Sequence, residues 1–200
     1  MIKLILAEDQ SLLRGALASL LALETDFDIL ADLPDGQAAW NAIRRDPPDI
    51  LVTDIEMPGM SGIELAEAIK RDRLKTKTLI VTTYARPGYL RRAMDAGVSG
   101  YLLKDAPATE LAGAIRRVAV GERMVAPELA EAAWGEPDPL SETERRLLRL
   151  AESGLNSQAI AEASGLARGT VRNYLHEAIS KLGAANRIEA ARIAREKGWL

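Results

Sequence analysis

Short, almost wholly apolar runs alternate with longer stretches of helical period through the first 120 residues. Lys3-Leu4-Ile5-Leu6-Ala7 predicts a strand, and residues 12–23, where leucines and alanines recur three and four apart, predict a helix. The alternation repeats through 27–31, 36–45, 49–53, 61–71, 78–82, 87–96, 100–103 and 107–120, giving five strand–helix units. Ile50-Leu51-Val52 and Leu79-Ile80-Val81 show no polar alternation, as expected of parallel strands covered by helices on both faces. The predicted class is α/β, a doubly wound five-stranded parallel sheet over residues 1–120. A site in such a sheet belongs at the carboxyl ends of the strands.

The pattern then changes. Residues 121–138 read as a linker holding a helix, and Gly135-Glu136-Pro137-Asp138-Pro139 suits neither helix nor strand. Beyond it, Ser141 with Glu144 forms a capping box ahead of Leu147-Leu148, and Gly154 stops that helix. Asn156 caps a short second helix, Gly165 breaks it, residues 167–182 make a longer third, and a fourth runs from Asn186 to Lys197. Residues 139–200 thus read as a small all-α four-helix domain with helix-turn-helix geometry.

Composition narrows the function classes. At 48% apolar and 28% charged the chain can pack cores, and no apolar run is long enough to span a bilayer, so a cytoplasmic protein without membrane insertion is expected. Zero cysteines exclude disulfides, thiolate metal sites and thiol chemistry, and one histidine, His176, leaves little for a histidine metal site. The net charge of -3 hides an asymmetry: residues 1–139 hold 22 acidic against 16 basic residues, whereas residues 140–200 hold 7 against 10. Two domains with different partners would produce this split.

The strand ends bring polar groups to one edge of the sheet: Glu8-Asp9 after the first strand, Asp54 after the third, Thr82-Thr83 after the fourth and Lys104 after the fifth. Glu8-Asp9 alone would pass for an ordinary polar strand end. Three converging carboxylates repel one another, which suits an oxygen-preferring divalent cation such as Mg²⁺, and the hydroxyl and amine complete an anion site.

Glu8-Asp9, Asp54-Ile55-Glu56-Met57-Pro58-Gly59, Ser61-Gly62, Val81-Thr82-Thr83 and Tyr101-Leu102-Leu103-Lys104 resemble the receiver domain of two-component response regulators. The resemblance implies that Asp54 accepts a phosphoryl group from a sensor histidine kinase. It further implies that Glu8, Asp9, Asp54 and the main-chain carbonyl of Glu56 hold Mg²⁺, that Thr82 and Lys104 bind phosphoryl oxygens, and that Thr82 and Tyr101 switch. The Glu56 carboxylate is expected to affect the lifetime of the acyl phosphate, which the dephosphorylation rate of Glu56→Ala checks. Lys104 is followed by Asp105 rather than the proline of many receivers, so a trans peptide is expected there.

Leu140-Ser141-Glu142-Thr143-Glu144, the run from Gly154 to Ala161, Gly169-Thr170-Val171-Arg172-Asn173-Tyr174 and Lys181-Leu182 with Arg187 resemble the LuxR-type DNA-binding domain. By that resemblance Arg172, Asn173 and His176 face base edges, while Asn156, Ser157, Arg168, Thr170, Tyr174 and Lys181 lie on or near the phosphate backbone. Arg187 is expected instead to support the fold through a local ion pair. A domain of net +3 should bind weakly alone, so two copies on paired half-sites are expected.

Receiver followed by LuxR-type domain is the arrangement of the NarL/FixJ class, which implies a DNA-binding, phosphorylation-dependent homodimer rather than an enzyme, with RNA polymerase as a further partner. Several segments are also similar to regulators of membrane-lipid desaturation within that class, implying a membrane-embedded kinase and desaturation genes. Leu12-Leu13 and Leu17, with Leu111 and Ile115, mark candidate dimer surfaces. Two other readings are weighed: a haloacid-dehalogenase-type phosphatase, which needs a second aspartate where Glu56 stands, and a regulator that works without phosphorylation.

Overall fold

A computed structural model describes residues 1–83, 87–125 and 138–200. The chain divides into two compact units, one holding residues 1–85 with 90–132 and the other the remainder.

The first comprises β1(Ile2–Ala7), α1(Ser11–Leu21), β2(Phe27–Leu33), α2(Gly36–Arg45), β3(Ile50–Thr53), α3(Gly62–Arg71), β4(Lys77–Thr82), β5(Gly100–Leu103), α5(Ala108–Ala119) and β6(Met124–Val125), with α4(Pro87–Asp95) between β4 and β5. All strands are parallel in the order β2-β1-β3-β4-β5-β6. The sixth strand is not expected from the sequence, because two residues pairing with Gly100 and Tyr101 are too short to leave a period.

Alternate strand residues feed opposite cores. Leu4, Leu6, Val52, Leu79, Val81 and Leu102 pack with Leu111, Ile115 and Val118 of α5, while Ile5, Ala7 and Leu51 pack with Trp40 and Ile43 of α2 and Leu65 and Ile69 of α3. This two-sided burial is why the runs carry no polar alternation. Leu111 and Ile115 are committed to the core, so they do not form the dimer surface suggested for them, whereas Leu12 on α1 is 88% exposed.

Two close approaches fix the loop after β3. A Cβ at Gly62 would lie 2.0 Å from the Asp54 carbonyl oxygen, and one at Gly36 would lie 1.8 Å from the Met60 carbonyl oxygen. Only glycine lets α2 and α3 start so near that loop. On the far side, Arg116 of α5 binds Glu24 (2.6 Å) and Asp26 (2.7 Å) and lies over the Phe27 ring, tying α5 to the entry of β2.

The second unit holds α6(Glu142–Glu152), α7(Ser157–Ser164), α8(Arg168–Lys181) and α9(Arg187–Glu196). Ser141 and Glu144 form the expected capping box, and Asn156 and Asn186 cap α7 and α9 by accepting two N–H bonds each. Gly165 turns the chain between α7 and α8 at φ +71°. Leu147, Leu148, Ile160, Val171, Leu175, Ala190 and Trp199 fill the core. Of the linker expected to hold a helix over 121–138, Met124–Val125 form β6, and residues 126–137 lie outside the described residues. Among the described residues no helix is long and apolar enough to cross a membrane.

Candidate functional site

The ends of β1, β3 and β5 place Glu8, Asp9, Asp54 and Lys104 together, as the sequence predicts. One carboxylate oxygen from each of Glu8, Asp9 and Asp54 lies within 4.8 Å of the others. Glu8 and Asp54 are buried and Asp9 is exposed, so the cluster opens to solvent on one side. Lys104 Nζ lies 2.8 Å from Glu8 Oε2 and 2.9 Å from Asp54 Oδ2. The other Asp54 oxygen accepts from the Ile55 N–H at 2.6 Å, and Glu8 Oε1 accepts from the Gln10 N–H at 3.1 Å. Such charge-assisted bonds hold both carboxylates in fixed orientations.

Burial pushes the Glu8 carboxyl up, and hydrogen bonds from Lys104 and Gln10 offset that only in part, so it titrates above the ordinary carboxylate value. Burial pulls the Lys104 ammonium down, but Glu8 and Asp54 outweigh it and hold the amine above its ordinary value. Lys104 is therefore a firm cation at neutral pH beside two acids.

Thr82 is fully buried at the end of β4, where its carbonyl accepts the Lys104 N–H at 2.9 Å. Tyr101 is fully buried on β5, paired in register with Ile80. Glu56 is half-buried in the loop after β3. The peptide bonds of the described residues are all trans. Arg14 escapes the sequence reading: its guanidinium donates to the Glu8 carbonyl at 2.8 Å and lies 3.4 Å from Asp32, bracing the acidic loop from α1. An arginine in the first turn after an acid pair is the signal that could have found it.

In the helical unit, Val171, Leu175 and Ala178 of α8 are buried, while Arg168, Arg172, Asn173 and His176 are exposed. Positions 168, 172 and 176 are successive i, i+4 neighbours, so they share one face, with Asn173 beside it. Thr170, Tyr174 and Ser157 are half-buried and Asn156 is exposed. Lys181, expected near the phosphate backbone, is engaged within the domain: its ammonium bonds both oxygens of Glu144, each at 2.8 Å. Burial pushes Glu144 up, but Lys181 and Ser141 outweigh it and hold the carboxyl below its ordinary value. Arg187 departs from expectation. It makes no ion pair among the described residues and instead lines a cleft of about 500 Å³ with Asn156, Ser157, Gln158 and Arg168.

Residues 4–116 match the response regulator receiver domain, and residues 138–194 match the bacterial regulatory proteins of the luxR family. Over its length the chain is similar to the transcriptional regulatory protein DesR of Bacillus subtilis (strain 168), 47% identical over 199 residues covering 100% of this chain and 99% of the relative. It is similarly related to the uncharacterized transcriptional regulatory protein YvfU of the same organism, 46% identical over 200 residues and covering 100% of both chains. Among solved structures, the response regulator ChrA of a heme-sensing two-component system is 33% identical, with 100% of this chain and 98% of that one covered at a TM-score of 0.58.

Proposed function

Because the chain belongs to the response regulators of the NarL/FixJ class, which join a receiver to a luxR-family DNA-binding domain, we propose that a sensor histidine kinase phosphorylates Asp54 and that the phosphorylated protein pairs on DNA half-sites to regulate transcription. The observation that carries this reading is the bridging of buried Glu8 and Asp54 by Lys104 at the strand ends. In this reading the receiver takes residues 1–120 together with the edge strand β6, the rest of 121–138 is the linker, residues 139–200 are the DNA-binding domain, and the protein acts in the cytoplasm.

An Asp54 oxygen attacks the phosphorus of a phosphohistidine; the P–N bond breaks as the P–O bond forms, and the product is a carboxyl-phosphoric anhydride. Lys104 would neutralise charge on the phosphoryl oxygens, and the Thr82 hydroxyl would donate a hydrogen bond to them. The three clustered carboxylates are hard oxygen donors that fit Mg²⁺, so Glu8, Asp9, Asp54 and the Glu56 carbonyl would hold it. Bound Mg²⁺ would supply further charge neutralisation. Tyr101 and Thr82 would respond to the phosphoryl group and bias the receiver toward a dimerising state. The outward face of α1, with Ser11, Leu12, Gly15, Ala16, Ser19 and Leu20 exposed and uncharged, supports such pairing. Arg172, Asn173 and His176 would read base edges, with Arg168, Thr170, Tyr174, Asn156 and Ser157 near the backbone. By its likeness to DesR, the targets would include fatty-acid desaturation genes.

Intact-mass spectrometry after incubation with Mg²⁺ and acetyl phosphate tests the chemistry. One labile phosphoryl adduct is expected on the wild type and none on Asp54→Ala. A wild type that stays unmodified, even with candidate kinases, overturns the reading in favour of a regulator that works without phosphorylation.

A further inference from the structure

The arginines of the helical unit fall into two groups. Arg145 is bonded to Asp138 and Glu142, Arg192 to Glu196 (2.6 Å), Arg195 to Glu152 (2.7 Å) and Arg146 to the Ala163 carbonyl (3.2 Å), and Arg149 also has a partner. Arg168, Arg172 and Arg187 have no hydrogen bond or ion pair among the described residues. Arg168 and Arg172 lie on the exposed face already assigned to DNA. Arg187 opens α9, a different helix, yet it shares the cleft of about 500 Å³ with Arg168.

That cleft draws its lining from three separate segments, 156–158, 168 and 187, and the lining contains no carboxylate and no apolar side chain. Two guanidiniums in one cleft without a carboxylate repel each other, and an anion placed between them relieves that repulsion. The Asn156 side-chain oxygen, Oδ1, is committed to the Gln158 and Ala159 N–H groups, so the rest of that amide, its NH2, is a donor only. Gln158 gives its side-chain N–H to Glu162 at 2.9 Å and so presents its carbonyl oxygen, but the two guanidiniums, the Ser157 hydroxyl and the Asn156 NH2 supply the donors and positive charge of a phosphate site.

We propose that Arg187 is a DNA-backbone contact, taking with Arg168 one phosphate of the strand that flanks the groove entered by α8. This rests on the DNA-binding reading above and extends it to a second helix. Arg187 positions the domain on the duplex and carries no base preference, because phosphate contacts set register without reading sequence.

The test uses the full chain treated with Mg²⁺ and acetyl phosphate, and duplexes selected by the wild type from a random-sequence pool. Dissociation constants are measured across a range of KCl concentrations. Arg187→Gln is expected to weaken binding to all selected duplexes alike and to lower the slope of log affinity against log salt by about one, the value for one lost phosphate contact. Arg187→Lys should keep most of the slope. Arg192→Gln removes the same charge from the same helix, but at a residue already paired with Glu196, and should leave the slope unchanged. A wild-type slope in Arg187→Gln overturns the proposal, as does an equal loss in Arg192→Gln, which would make the effect one of net charge. If the wild type binds no duplex at all, the DNA-binding reading itself fails and takes this contact with it.

Discussion

Lys181 separates two roles that a single lysine could have, and its replacement by methionine distinguishes them. Glu144 is fully buried and takes both of its Lys181 bonds at 2.8 Å, with the Ser141 N–H adding a third at 2.6 Å. Lys181→Met keeps most of the aliphatic stem, removes the ammonium and leaves a buried carboxylate held by Ser141 alone. Breaking a fully buried pair costs about 3–5 kcal/mol, but the Lys181 side chain is 39% exposed, so water replaces part of the loss and about 2–3 kcal/mol is expected. At about 1.4 kcal/mol per tenfold, the best-protected amides of α8 should exchange roughly 30- to 150-fold faster in the full chain, after correction for intrinsic rates. Adding Glu144→Gln to Lys181→Met should recover at least about 1 kcal/mol, because it removes the unpaired charge. The pH dependence has a definite sign. In the wild type the Glu144 carboxyl titrates below its ordinary value of 4.5, so its contribution is fully present above that value and is lost as pH falls through the lowered folded value. In Lys181→Met burial dominates and the folded value moves up, so the defect is largest at neutral pH and shrinks on acidification. Unchanged exchange in Lys181→Met, together with a fall of about one in the salt slope of DNA binding, would refute this reasoning and restore Lys181 as a phosphate contact.

Gly62→Ala should lower the thermal midpoint of the receiver through about 1–3 kcal/mol of overpacking, since its Cβ would sit 2.0 Å from the Asp54 carbonyl oxygen; Gly15→Ala, with nothing within 4 Å, should raise the midpoint through a stability gain of about 0.5–1 kcal/mol, and calorimetry showing the same sign for both would contradict the close approach. Asp9→Asn should weaken Mg²⁺ binding by at least about tenfold in a calorimetric titration, and an affinity equal to the wild type would remove Asp9 from the metal set.

The five main strands and nine of the expected helices were legible because their signals are long or are punctuated by caps and glycines. The receiver cluster was legible for a related reason: in a parallel sheet, the residue after each strand necessarily lands on one edge. What escaped depends on contacts between distant segments. Nothing in the local pattern says that Glu144 is the buried partner of Lys181, 37 residues later. Glu189 lies two residues from Arg187 and makes an ion pair a reasonable expectation; the Glu189 carboxylate instead accepts the Ala185 N–H at 2.6 Å. Gly36 and Gly62 look like ordinary helix starts until the loop that each one abuts is known.

The order of the sheet also has a bearing on synthesis. After β1 and β2 pair, β3, β4 and β5 each add beside a strand already made, so the sheet can grow in the direction of translation. Lys104 follows Asp54 by 50 residues, which at roughly 5–20 residues per second is a delay of about 3–10 s. During that interval the nascent chain carries the acids without the lysine that joins them. β5 therefore delivers the counter-charge, and α5, whose Leu111, Ile115 and Val118 close one of the two cores, must still follow before the receiver reaches its full stability.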